Sequence, residues 1–479
     1  MRQLTRIFAA MQPTVFLGSA ALVVAFVVLG VGWPDVAQRT FAPIQSGIVA
    51  HFGWLYVFGA TAMLVFVLWL LFSRYRDIRL GGEEAEPEFG YLAWFAMMFS
   101  AGMGVGLVYW GGAEPVLHWA QPPFPAGTGT DEVREAMRLT FFHWGLHPWA
   151  VYIVFGLSLA YFHFRHGLPL APCSLLYPVI GRRIHGPIGH AVDILATVGT
   201  LFGVATSLGL GAMQINAGVS RLVAVPESTR VQIAIIALIT SVGTISVVSG
   251  VHKGIRRLSQ LNVGLATLLL LFVFIAGPTV YLLKVLVSAT GDYLQHLVGM
   301  SLWLDLRADA HWQADWTLFY WSWWISWSPF VGVFVARISR GRTIGEFIVA
   351  VLFVPVLVTF LWLSVFGGSG LHLQLFGDGG VAATVQENTS AGLYRLLGEL
   401  PFPTVAAVLA TLMVVVFFVT SSDSGSLVDD MVTSGGHPNP PRAQRIFWAV
   451  SEGTIASTLL LSGGLQALRT ASLTSGLRR

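Results

Sequence analysis

The chain of 479 residues carries 27 Lys and Arg against 24 Asp and Glu, a net charge of +3, and only 11% of its residues are charged. Soluble domains run near ~25% charged, so 55% hydrophobic content with a mean hydropathy of +0.70 excludes a water-facing surface over most of the chain. The small, dispersed charge excludes a nucleic-acid binder, and the single Cys173 excludes an internal disulfide framework or a thiolate metal cluster.

A helix needs roughly 20 apolar residues to cross ~30 Å of hydrocarbon. About eleven such stretches occur, near 13–32, 52–73, 91–112, 139–162, 190–216, 231–250, 261–286, 317–337, 346–366, 404–428 and 444–463. The chain therefore reads as an all-α polytopic membrane protein. Arg2 and Arg6 precede the first stretch, and every second loop is basic. Arg74, Arg76 and Arg79 follow the second stretch, Arg165, Arg182 and Arg183 the fourth, Lys253, Arg256 and Arg257 the sixth, and Arg337, Arg340 and Arg342 the eighth; Arg442 and Arg445 precede the eleventh. This asymmetry predicts a cytoplasmic N-terminus in a cell membrane. The less basic segment from Ser288 to Asp315 predicts an interfacial helix around Leu294–Leu304. After the eleventh stretch, Arg469, Arg478 and Arg479 fall on the predicted outer side, which leads us to expect that a twelfth span is missing.

The third stretch reads Ser100-Ala-Gly102-Met103-Gly104-Val-Gly106. Three alternate glycines cost about 1 kcal/mol each in helix propensity. They predict an unwound backbone lining a cavity, with close helix packing through Gly102 and Gly106 as the competing reading. The fourth stretch carries His143-Trp144-Gly-Leu-His147-Pro148-Trp149-Ala-Val-Tyr152. Trp149 and Tyr152 share a face; Trp144 joins them only if the helix is distorted near Pro148. The eighth stretch holds Trp321, Trp323, Trp324 and Trp327 within two turns, more than an interfacial belt requires. Tyr320, Trp324 and Trp327 share a face, and Ser328-Pro329 frees a carbonyl. Interrupted segments in two halves of a membrane protein point to a midplane binding site between inverted repeats. Aromatic faces there suit a quaternary ammonium, which has no N–H to donate and is held by ring quadrupoles. In the tenth stretch, Thr420, Ser421, Ser422, Asp423 and Ser424 place hydroxyls and a carboxylate at depth, fit for Na⁺ or for hydrogen bonds between helices. Asp423 and His143 are candidate coupling groups for protons.

Gly102-Met-Gly-Val-Gly106 followed by Tyr109-Trp-Gly-Gly-Ala-Glu114-Pro115, together with Trp321 to Phe330 and the continuation Val331 to Arg342, resembles the betaine/choline/carnitine transporter family over residues 13 to 477. The resemblance implies a symporter-type fold: peripheral helices in 1–90, a first repeat in 91–286, an outer interfacial segment in 287–316, and a second, incomplete repeat in 317–479. It implies no enzymatic activity, a membrane-embedded homotrimer, and secondary active import of a methylated ammonium solute such as glycine betaine, coupled to Na⁺ by alternating access and serving osmoprotection. Choline or carnitine transport coupled to protons, exchange, and an inactive copy that only binds ligand remain the alternatives.

By the same resemblance Trp144, Trp149, Tyr152 and Trp324 form the aromatic box and Trp327 part of the substrate path. Gly102, Met103, Gly104 and Gly106 face the substrate carboxylate. Ser100, Met103, Phe417, Thr420 and Ser421 form one Na⁺ site, and Thr200 and Phe330 belong to a second. Val204 stands where the second site would have another hydroxyl, and Gly106, where choline-type members often carry a charge, favours a zwitterion. No cofactor is implied beyond the coupling ion. By the same resemblance we expect the family's regulatory C-terminal tail to be missing.

Overall fold

The computed structural model describes residues 11–102, 104–124, 130–249, 252–306, 311–437 and 440–476. Among these the chain is helical throughout, with one isolated bridge between Arg79 and Thr343. Two outer helices come first, α1 (Pro13–Gly32) and α2 (Pro34–Phe72). The third stretch is broken into α3 (Tyr91–Gly102) and α4 (Val105–Gly111), followed by the short α5 (Glu114–Ala120). The fourth is broken as well, into α6 (Thr130–Trp144) and α7 (Leu146–His166). Then come α8 (Pro187–Val223), α9 (Thr229–Ser249), α10 (His252–Ala276), α11 (Thr279–Ser301), α12 (Phe319–Ile338), α13 (Ile344–Phe376), α14 (Pro403–Thr433) and α15 (Arg442–Gly476). Eight of the described helical segments are long and apolar enough to cross a membrane.

Backbone groups in hydrocarbon must be satisfied within the segment, which leaves helices as the only solution for such apolar runs. The core forms where faces of small residues allow close approach. α8 presents a run of buried Gly, Ala, Thr and Ser and packs against α14 and α15. α7 and α12 cross where Gly156 meets Gly332; a Cβ on Gly156 would stand 3.1 Å from the Gly332 Cα and carbonyl oxygen.

Two expectations are corrected. The helix expected around Leu294–Leu304 is not a separate one: α11 starts at Thr279, after the break at Gly277-Pro278, and ends at Ser301, so Leu302–Leu304 lie beyond it. The eighth stretch is not interrupted at Ser328-Pro329: α12 runs through Pro329. Proline removes the N–H that would reach the Ile325 carbonyl, and the Ser328 hydroxyl donates to that oxygen instead, at 2.7 Å. In α15 the helix kinks at Gly463 (φ 150°) and Gly464 (φ 58°), values that side chains other than hydrogen rarely tolerate.

The basic loop after α12 is structural. Arg342 is buried, donates to the Phe89 carbonyl at 2.6 Å, and lies over the rings of Tyr91 and Trp94 at 4.1 and 4.6 Å. Thr343 and Glu346 form a capping box that starts α13. This loop therefore anchors the start of α3.

The Gly156–Gly332 crossing leaves no room for a side chain. Gly156→Leu should lower the thermal midpoint of the detergent-solubilised protein, since overpacking costs about 1–3 kcal/mol. Gly299→Ala, in open space on α11, should leave it unchanged or raise it; equal midpoints for the two variants would remove the crossing as a packing constraint.

Candidate functional site

The site begins with the break between α6 and α7. A Cβ on Gly145 would lie 2.5 Å from the Phe141 carbonyl oxygen and 2.8 Å from the Tyr293 hydroxyl, so only glycine fits. The Leu146 N–H, orphaned at the start of α7, donates to that Tyr293 hydroxyl at 3.2 Å. The distortion thus lies at Gly145 rather than at Pro148, which sits in the first turn of α7, where its missing N–H costs nothing.

This break turns Trp144 toward α12. Its ring meets Trp324 at 4.9 Å and 69°. Tyr152 meets Trp324 at 6.3 Å and 80°, and Trp149 meets Tyr152 at 5.6 Å and 82°. Four rings from α6, α7 and α12 therefore assemble edge to face, all buried. The Trp324 indole N–H donates to the His143 carbonyl at 3.0 Å. The Tyr152 hydroxyl is buried with no hydrogen-bond partner among the described residues.

A carboxylate that the sequence reading gave no role organises one wall. Glu114, at the start of α5, is fully buried. Its Oε2 accepts from the Trp144 indole N–H at 2.7 Å and from the Tyr320 hydroxyl. Its Oε1 lies 2.8 Å from His143 Nδ1 and 3.1 Å from His118 Nε2. His143 Nε2 reaches Thr317 at 3.1 Å. The three groups Glu114, His118 and His143 bring ligand atoms within 4.8 Å of one another. Glu114 Oε1, His118 Nε2 and His143 Nδ1 already serve this hydrogen-bond network, which fixes Trp144 and Tyr320. His143 is thus a member of the support of the box. His147 stacks on Trp321 at 5.3 Å, and neither ring nitrogen has a hydrogen-bond partner among the described residues.

The glycine stretch meets the tryptophans. A Cβ on Gly106 would stand 2.5 Å from Trp323 Cη2 and 3.4 Å from Trp144 Cη2. A Cβ on Gly104 would stand 3.1 Å from Trp327 Cη2 and 3.8 Å from the Ser421 hydroxyl. Gly104 therefore brings the helix break, Trp327 and α14 together. Gly102 ends α3; Met103 and the side chain of Ser100 lie outside the described residues.

On α14, Phe417 and Thr420 are buried and Ser421 is half-buried. The Thr420 hydroxyl donates to the Val416 or Phe417 carbonyl, each at 3.0 Å, and Asn262 of α10 approaches it at 3.5 Å. Asn262 also escaped the sequence reading, since a lone amide in α10 carries no motif. Thr200 on α8 and Phe330 on α12 are buried on helices that meet where Gly203 packs against Trp327. Phe330 stacks edge-on to Trp327 at 5.4 Å. Val204 is buried and supplies no oxygen. Asp423 is buried on α14.

Comparison with known proteins adds an independent line. A family model described as the betaine/carnitine/choline family of transporters matches residues 14–477. The chain is 44% identical to a glycine betaine transporter of Bacillus subtilis over 97% of this chain and 91% of that protein. It is 41% identical to a probable glycine betaine transporter of Desulfitobacterium hafniense, over 97% and 94%. Against a high-affinity choline transport protein of Escherichia coli it is 43% identical, over 97% and 69%.

Removing the Glu114 carboxylate leaves the Trp144 and Tyr320 donors buried without an acceptor, at about 1–3 kcal/mol each. Glu114→Ala should lower the thermal midpoint by several degrees and change the near-ultraviolet circular dichroism of the tryptophans. An unchanged spectrum and midpoint would show that the carboxylate does not position the ring.

Proposed function

The chain belongs to the betaine/carnitine/choline family of transporters, and from that premise we propose that it imports glycine betaine or a closely related methylated zwitterion. It is a multi-pass membrane protein and a solute transporter rather than an enzyme. The observation that carries the substrate reading is the convergence of Trp144, Trp149, Tyr152 and Trp324 from three helices on one buried locus. A trimethylammonium group offers nothing to a hydrogen-bond acceptor, whereas each desolvated ring face contributes about 0.5–2 kcal/mol to holding it. The carboxylate end of the substrate faces the broken backbone at Gly104 and Gly106, whose N–H groups are not all spent within a helix.

In this reading Na⁺ is the co-substrate. Thr420 and Ser421, with backbone oxygens at Phe417 and around Ser100 and Met103, supply the oxygens for one ion. Thr200 and the Phe330 backbone belong to a second position, which Val204 leaves poorer by one hydroxyl. Rocking of the two halves around the box gives alternating access, with the N-terminus in the cytoplasm, a homotrimer as the assembly and osmoprotection as the physiological role. The similar identities to glycine betaine and choline transporters make choline the competitor to test, and absence of charge at Gly106 favours the zwitterion.

Trp324→Ala should weaken the apparent affinity for glycine betaine by roughly 2- to 30-fold, the equivalent of one ring. Trp33→Ala, at an exposed tryptophan outside the box, serves as the control. Radiolabelled uptake in proteoliposomes, with choline and carnitine as competitors, reads both; undiminished affinity in the Trp324 variant would refute the box. In the same assay, Thr420→Ala with Ser421→Ala should raise the Na⁺ concentration for half-maximal uptake, and an unmoved Na⁺ dependence would count against these ligands.

A further inference from the structure

A second polar locus lies outside the aromatic box. On α14, Ser422, Ser426, Asp429 and Thr433 follow one another at helical spacing and share a face; on α15, Gln444, Trp448 and Glu452 do the same. The two faces meet. Trp448 and Gln444 donate to the Thr433 hydroxyl at 3.0 and 2.6 Å. At the far end of this seam, Ser422 donates to Glu452 Oε2 at 3.1 Å and Ser426 to Oε1 at 3.0 Å. Glu452 is completely buried, about 15 Å along the helix from Arg442, or half of a ~30 Å hydrocarbon layer.

An ionised carboxylate at that depth is costly unless a cation partners it. Among the described residues Glu452 hydrogen-bonds to two serine hydroxyls and not to a Lys, Arg or His. Asp423 and Asp430 of α14, which act on it, are themselves acidic, as is the buried Asp429 on the seam face. The Asp430 carboxylate is buried with no hydrogen-bond partner among the described residues. Arg445, on α15 itself, acts on Asp423 and Asp430. From α12, Arg337 is directed at Met431. The other neighbours are not titratable: α8 contributes Val204, and α9 contributes Thr240 against Gly453. A Cβ on Gly425 would lie 2.9 Å from Val204 and 3.2 Å from Glu452 Oε1, so valine walls the carboxylate on that side.

Too few oxygens converge here for a metal ion. A hard cation wants a shell of oxygen ligands. The carbonyls of α14 at Ser422–Ser426 lie within an unbroken helix, and among the described residues Glu452 meets two hydroxyls without forming a ligand cluster with Asp423 and Asp430.

We infer that Glu452, held by Ser422 and Ser426, is a proton-binding site at the middle of the membrane, with the α14–α15 seam as its path toward Thr433 and Gln444. Protonated on one oxygen, Glu452 donates to one serine hydroxyl while its other oxygen accepts from the second. On release, the proton passes toward Asp430 and both serines donate to the carboxylate. This rests on the transport reading only for its purpose, the coupling of a proton to the transport cycle; the proton site itself does not depend on the cargo.

Infrared difference spectroscopy of the purified full-length chain in lipid tests it directly. The wild type should show a buried protonated-carboxyl stretch at neutral pH that disappears on raising pH. Glu452→Gln should remove that band, and Ser422→Ala with Ser426→Ala should shift its frequency while keeping it. No band assignable to Glu452, or a band abolished by Na⁺ at fixed pH, would overturn the proton assignment. In proteoliposomes at constant Na⁺, the variant should also flatten the pH dependence of uptake; a wild-type pH profile in Glu452→Gln would remove the coupling role. Should the glutamine variant fail to fold, the wild-type and serine-variant spectra decide. A wild type that shows the band yet takes up no betaine would refute the cargo and leave the proton site standing.

Discussion

One carboxylate holds the aromatic site in shape. Glu114 gathers the Trp144 indole, the Tyr320 hydroxyl and the rings of His118 and His143, groups that come from α5, α6 and α12. A tryptophan wall is useful to a methylated cation only if its face is aimed, and an indole in a packed core has few ways to be aimed other than through its single N–H. The acceptor for that N–H is fixed in turn by three further contacts. Ground-state order of this kind reduces what substrate binding would otherwise spend on immobilising side chains.

The helix breaks explain why the box can exist. An unbroken fourth span would place Trp144 five residues before Trp149, on a different face. The break at Gly145 swings α6 relative to α7, and Tyr293 takes the stranded N–H. The break between α3, which ends at Gly102, and α4, which starts at Val105, sets Gly104 against Trp327 and Ser421. Two discontinuities in neighbouring helices thus bring aromatic rings, free backbone and hydroxyls to the same depth. Such backbone survives in a membrane because it is surrounded by protein rather than lipid.

Much of this was legible in the sequence, for physical reasons. Alternate glycines announce unwinding, and Trp149 with Tyr152 share a face by spacing alone. The position of the fourth-span break was not legible, because Pro148 looks like the disrupting residue while the steric demand falls on Gly145, and that demand comes from the Phe141 carbonyl together with Tyr293, which is distant in sequence. Pro329 likewise looks disruptive, but the neighbouring Ser328 repairs the lost hydrogen bond locally. Glu114 sat inside a recognised motif without a role, since most of its partners lie in two other segments, α6 and α12. Glu452 lay in an apolar stretch, where a carboxylate is itself a signal, but its pairing with Ser422 and Ser426 depends on how α14 meets α15. Asn262 had no signal at all.

The central claim is that desolvated ring faces select the methyl groups of the substrate. Intrinsic tryptophan fluorescence of the purified protein, titrated in parallel with glycine betaine and with glycine, tests it most directly, because the two zwitterions differ only in the three N-methyl groups. The account predicts a saturable change with betaine and none with glycine over the same range. Equal responses to both, or no response to betaine, would contradict it.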